Sequence, residues 1–88
     1  MASYSVVVTA SARREIEDLE RQDRERVMTA IGSLREDARP HGCEKLSALD
    51  RYRIRVGRYR VVYTIDDEIV TVFVVKVGHR RDIYRRGS

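Results

Sequence analysis

Arg53, Arg55 and Arg60 fall at alternate positions in two short segments, 52–56 and 59–65, that alternate apolar and polar residues and are separated by Gly57 and Arg58. Alternation at this period predicts a pair of strands, and a loop of this length with glycine first predicts a type II′ turn. With Val56 and Tyr59 flanking the turn, the ladder sets Arg55 opposite Arg60, Ile54 opposite Val61, Arg53 opposite Val62 and Tyr52 opposite Tyr63. The three guanidinium groups then line one face with no acidic partner. Like charges directly across a strand pair, with Cβ atoms about 5 Å apart, destabilise the sheet, so an anion between them is the expected occupant. Phosphate suits the planar donor fork of arginine.

The elements that must position this hairpin follow from the hydrophobic period. Residues 4–9 are rich in β-branched side chains and predict a strand, with Thr9 or Ser11 placed to cap a helix. Ala12, Ile16 and Leu19 mark the buried side of that helix, and Glu17 with Arg21 and Glu20 with Arg24 are spaced for exposed i to i+4 pairs. A second helix is expected over 23–37, burying Val27, Ile31, Leu34 and Ala38. Pro40 and Gly42 end it, and the segment to Asp50 reads as a connecting loop. After the hairpin, Asp66 and Asp67 make a turn and 69–77 is apolar on both faces, as in a central strand that Gly78 breaks. The order predicts a single α+β domain over 1–88, a mostly antiparallel four-stranded sheet with a helical hairpin on one face, with room for a short C-terminal helix. The arginine face is left uncovered.

Charge is distributed unevenly around the net +4: up to Glu44 there are seven basic and nine acidic residues, and from Lys45 onward eleven basic and five acidic. The hairpin half is therefore the basic half, and sixteen of the eighteen basic residues are arginine, which favours bidentate phosphate contacts. Cys43 is the sole cysteine, so no disulfide forms within the chain, consistent with a reducing cytoplasm. No signal-peptide pattern precedes the short apolar run at 6–8, and no segment approaches the roughly 20 apolar residues of a membrane span. His41 and His79 are far apart and neither sits in a cluster with metal-ligand spacing, so a metal-free site without cofactor is expected.

Residues 52–56 (Tyr-Arg-Ile-Arg-Val), 57–63 (Gly-Arg-Tyr-Arg-Val-Val-Tyr) and 77–84 (Val-Gly-His-Arg-Arg-Asp-Ile-Tyr), with Lys45 and Leu46 ahead of them, resemble in order and spacing the RelE branch of the RelE/ParE toxin superfamily. The resemblance covers almost the whole chain. It implies a type II toxin that cuts messenger RNA in the ribosomal A site and is held inactive by a cognate antitoxin, with operator DNA met only through that antitoxin. Within it, Arg60 matches the arginine that clamps the scissile phosphate, Arg80 the arginine that stabilises or protonates the leaving oxygen, and Tyr84 the C-terminal tyrosine that orients the nucleotide. Arg53 and Arg55 complete the catalytic set, and Lys45, Arg58, His79 and Arg81 are expected to contact nucleic acid.

Cleaving RNA through its own 2′-hydroxyl needs a base, positive groups for the transition state and an acid for the departing oxygen. Here the chain departs from the family pattern, since Arg53 and Arg55 stand where lysines are expected and guanidinium does not give up its proton. The base is open among Lys45, Glu44 and His79, or the reaction relies on ribosomal positioning, which can supply roughly 7 to 11 kcal/mol. Tyr52, Tyr59 and Tyr63 read as packing residues, and Arg85 and Arg86 as a tail attracted to RNA. Two other readings share the basic face: a ParE-like inhibitor of DNA gyrase, and a non-catalytic RNA- or ribosome-binding domain.

Overall fold

The computed structural model describes residues 3–46 and 51–79. The chain runs β1 (Ser5–Val8), α1 (Ala10–Glu17), α2 (Arg21–Ser33), β2 (Glu44–Leu46), β3 (Arg51–Val56), β4 (Tyr59–Asp66) and β5 (Thr71–His79). Thr9 caps α1 as its position predicted, its Oγ1 accepting from the Ala12 N–H at 3.2 Å. The helix stops at Glu17, so Glu17 and Arg21 lie on different helices and cannot form the expected pair. Glu20 is the N-cap residue of α2 rather than the partner of Arg24, and the ion pair on this helix is Arg21–Glu25 at 3.2 Å.

The sheet has five strands in the order β1-β5-β4-β3-β2. Two features differ from the expected four-stranded antiparallel arrangement. β1 runs parallel to β5, with Ser5 opposite Thr71 and Val8 opposite Val74, because both helices lie in the connection that follows β1 and return the chain to the same end. Residues 44–46, expected as loop, add an edge strand antiparallel to β3. The α+β class with helices on one face stands.

The hairpin register is the expected one in all particulars: Arg55 opposite Arg60, Ile54 opposite Val61, Arg53 opposite Val62, Tyr52 opposite Tyr63. Gly57 has φ +58, the left-handed value that the first turn position of a type II′ hairpin requires. Its ladder to β5 carries a bulge between Val62 and Tyr63, after which β5 continues through Gly78 to His79 instead of ending there. Ala12, Ile16, Val27, Ile31, Leu34 and Ala38 from the helical side pack with Ile54, Val61, Tyr63, Val72, Val74 and Val77 from the sheet. Tyr63 is fully buried, its hydroxyl donating to the Ala38 carbonyl at 2.9 Å, and its ring stacks on Tyr52 with centroids 5.8 Å apart. The tyrosines are packing residues. Because side chains alternate, the other face of β3 and β4 presents Arg51, Arg53, Arg55, Arg60, Val62 and Thr64.

Where α1 passes the end of β5 beyond β1, Glu15 replaces a strand partner. Its carboxylate accepts from the Val77 N–H at 2.8 Å and from Lys76 Nζ at 3.2 Å.

Candidate phosphate-binding site

Arg55 and Arg60 occupy directly opposed positions beside the turn, and the third residue of that rung is Gly78 of β5, which has no side chain. Arg55 is exposed, whereas Arg60 is only 3 % exposed. Among the described residues no carboxylate pairs with Arg60, and its Nε is buried without a hydrogen-bond partner. A buried cationic donor of this kind is expensive to keep in a folded protein unless an anion completes it. The rung thus sets a buried Arg60 with an unsatisfied Nε directly across from an exposed Arg55.

The neighbouring rung corrects an expectation. Arg53 is 9 % exposed, and its Nη2 lies 3.1 Å from Glu44 Oε2 on β2. The edge strand missed in the sequence brings that carboxylate directly opposite Arg53, so the arginine face is not free of acidic partners. Nor is it a bare surface, since Arg53 and Arg60 are both packed and only Arg55 is fully presented. The continuing alternation adds a fourth arginine, Arg51, opposite Thr64. Its signal was legible as the same two-residue period carried one step back.

The remaining nucleic-acid candidates divide by face. Lys45 lies on the helical side, its Nζ 6.0 Å from the centroid of the Tyr52 ring. His79 is also turned to that side, opposite Tyr59 and edge-on to its ring at 5.7 Å, in a cavity of about 300 Å³ shared with Asp18 and Leu19. The hydroxyl of Tyr59 is pushed to a higher pKa by burial and then by the nearby carboxylates of Asp23 and Glu20. Lys45 and His79 therefore do not join the arginine row, because the strand period sends them through the opposite face. Arg58 is exposed at the hairpin tip, adjoining the Arg55–Arg60 rung. Arg80, Arg81, Tyr84 and the short C-terminal helix expected there lie outside the described residues. Among the described residues no group of three or more His, Cys, Asp or Glu is placed to hold a metal ion, and no helix is long and apolar enough to cross a membrane.

Residues 6–84 match the family model described as ParE toxin of type II toxin-antitoxin system, parDE. The chain is 39 % identical over 85 residues to Toxin RelG of Mycobacterium tuberculosis (strain ATCC 25618 / H37Rv), spanning 94 % of this chain and 98 % of that one. Its fold superposes on a chain of the toxin–antitoxin complex RelBE2 of Mycobacterium tuberculosis with a TM-score of 0.80 at 32 % identity, covering 91 % of this chain and 94 % of that one. The intact RelBE complex of E. coli gives a TM-score of 0.77 at 31 % identity, covering 88 % and 96 %. A match along nearly the full chain in sequence and in fold makes this protein a member of the ParE toxin family within the RelE/ParE superfamily, and a toxin of a type II toxin–antitoxin system.

Proposed function

We propose that this toxin is a ribosome-dependent, metal-independent endoribonuclease that cleaves messenger RNA by attack of a 2′-hydroxyl on the adjacent phosphate. The observation that carries the reading is Arg60, buried, with an unpartnered Nε, directly across the ladder from Arg55. A scissile phosphate between these side chains satisfies the orphaned donor and relieves the like-charge opposition. The same groups stabilise the additional negative charge of the phosphorane-like transition state, where preorganised donors have most effect.

Of the three groups that the sequence offered as base, Glu44 alone faces the arginine row, beside Arg53. In the proposed step the 2′-oxygen forms its bond to phosphorus as its proton passes to the Glu44 carboxylate. The bond to the 5′-oxygen breaks, leaving a 2′,3′-cyclic phosphate, and that oxygen takes up a proton. Arg53 positions Glu44, and by resemblance Arg80 and Tyr84 serve the leaving oxygen and the nucleotide. A carboxylate is a modest base for a hydroxyl, so the RNA must be held in line by something larger than this face, which is the role given to the ribosomal A site. The partner that silences it is a cognate antitoxin, as in the RelBE complexes, and a cytoplasmic location follows from a ribosomal target.

Primer extension on a defined messenger tests the reading. The purified protein is expected to cut within the A-site codon of a programmed ribosome and to leave the same RNA intact without ribosomes; efficient cutting of naked RNA contradicts it. Because the matching family model is named for ParE, gyrase inhibition is the second reading. Loss of supercoiling by purified gyrase at toxin concentrations that spare messenger RNA would favour it.

A further inference from the structure

At the end of the sheet away from the Gly57 turn, one rung crosses all five strands: Leu46, Arg51, Thr64, Phe73 and Val7 are successive partners on the face opposite the helices. Arg51, Thr64, Ile65 and Phe73 line an open cavity of about 650 Å³ together with Asp66, Asp67 and Glu68 of the β4–β5 turn, of which Asp67 is held by Arg39 and Tyr4. Its size is that of a small-molecule site. Its chemistry is specific: an accessible aromatic ring, a guanidinium, a hydroxyl, and carboxylates from the β4–β5 turn. Thr64 lies four residues beyond Arg60 on the same face of β4, ~13 Å along the strand. A strand of RNA clamped at Arg60 and running along β4 reaches this cavity with a nucleotide other than the one being cut.

We propose that this cavity is a second nucleotide subsite, taking the base of a messenger nucleotide flanking the cleavage point and preferring bases that carry an exocyclic amino group. The inference rests on the endoribonuclease reading. Carboxylates repel phosphate and accept from amino groups, so the occupant is a base edge rather than the backbone. Phe73 supplies the stacking face and Arg51 the stacking or hydrogen-bonding cation. Asp66 Oδ1 already accepts from the Glu68 and Ile69 N–H groups, so the acceptors left are the Glu68 carboxylate and Asp66 Oδ2; cytosine, adenine and guanine offer them an amino donor, and uracil does not. The subsite therefore gives sequence preference to a toxin whose phosphate clamp has none.

A nuclear magnetic resonance titration of the full chain with AMP, CMP, UMP and inorganic phosphate reads binding without requiring cleavage. The Phe73 ring and Arg51 side-chain signals are expected to move with AMP and CMP, less with UMP, and not with phosphate alone; equal shifts with phosphate, or silent Phe73 signals with every nucleotide, overturn the proposal. Cleavage maps on ribosome-bound transcripts randomised around the A site give the functional readout. The wild-type protein is expected to disfavour uridine at one flanking position. Phe73→Leu, which keeps apolar volume and loses the ring, flattens that preference and slows cutting about 10-fold, the order carried by one base–aromatic stack. An unchanged map for both Phe73→Leu and Phe73→Ala, beside an inactive Arg60→Ala, overturns the subsite while leaving the endoribonuclease reading intact. An Arg60→Ala protein that still cuts removes the clamp itself, and the titration then decides the subsite alone.

Discussion

Arg60 concentrates the conflict between stability and function in one side chain. A buried arginine, 3 % exposed, whose Nε has no partner is destabilising in the absence of a bound anion. Replacing it with an apolar group of similar length removes a buried unsatisfied donor, whose burial costs about 1–3 kcal/mol. Arg60→Met is accordingly expected to leave the free toxin as stable as wild type or more so, raising the melting temperature by a few degrees, while abolishing cleavage. A melting scan checks it, and a large drop in melting temperature would mean that Arg60 is a structural residue. Glu44 is the complementary case. Glu44→Gln keeps a hydrogen-bonding group beside Arg53 but removes the proton acceptor, so single-turnover cleavage is expected to fall about 10²-fold with the fold unchanged. Wild-type rates from this variant would transfer the proton to another group. The sequence offers Glu44 as one of three candidate bases but not its place beside Arg53, which depends on a strand that the sequence disguised.

That disguise belongs to the scale of elements. The β3–β4 hairpin was legible residue by residue, since a two-residue turn with glycine first sets the register and the alternation over 52–56 then fixes the faces of both strands. β2 was not, because three residues on an edge are too short for a period and Pro40 and Gly42 dominate the local signal. β5 was recognised as a strand but not its bulge, as a run apolar on both faces carries no register information. The parallel pairing of β1 with β5 was equally hidden, being a property of the connection rather than of either segment. Packing then holds these pieces in place at identifiable points. Tyr63→Phe removes the buried hydrogen bond that fastens the end of the helical layer to β4, leaving the Ala38 carbonyl unpaired at a cost of about 1–3 kcal/mol, measurable by urea unfolding. Val70, before β5, has φ 51, a left-handed conformation that is strained for a β-branched residue. Val70→Gly is expected to stabilise the protein by about 1 kcal/mol, and a loss of stability would show that the valine side chain contributes more than its backbone strain removes.

Across the whole molecule, distant segments are tied by a surface clasp on the helical side. Arg39, after α2, donates to both carboxylate oxygens of Asp67 in the β4–β5 turn and lies over the Tyr52 ring, while Tyr4 ahead of β1 donates to the same carboxylate at 2.8 Å. The Arg39 hydrogen bonds, then that from Tyr4, hold the Asp67 carboxyl below the usual carboxylate range. A depressed carboxyl contributes stability above its unfolded pKa of about 4 and loses it as pH falls through the folded value. Wild-type protein should thus lose more stability than Asp67→Asn on acidification from about pH 5 to pH 3; parallel acid limbs for the two proteins would show that the clasp is energetically silent. Asp67 also lines the cavity beside Arg51, so the clasp holds one wall of the proposed subsite. In the proposed reaction one side chain, Arg60, meets one phosphate. Single-turnover cleavage of ribosome-bound messenger by wild type and by folded Arg60→Ala measures this directly: a loss of at least about 10²-fold is expected when the transition-state clamp is removed, and cleavage at the wild-type rate would contradict it.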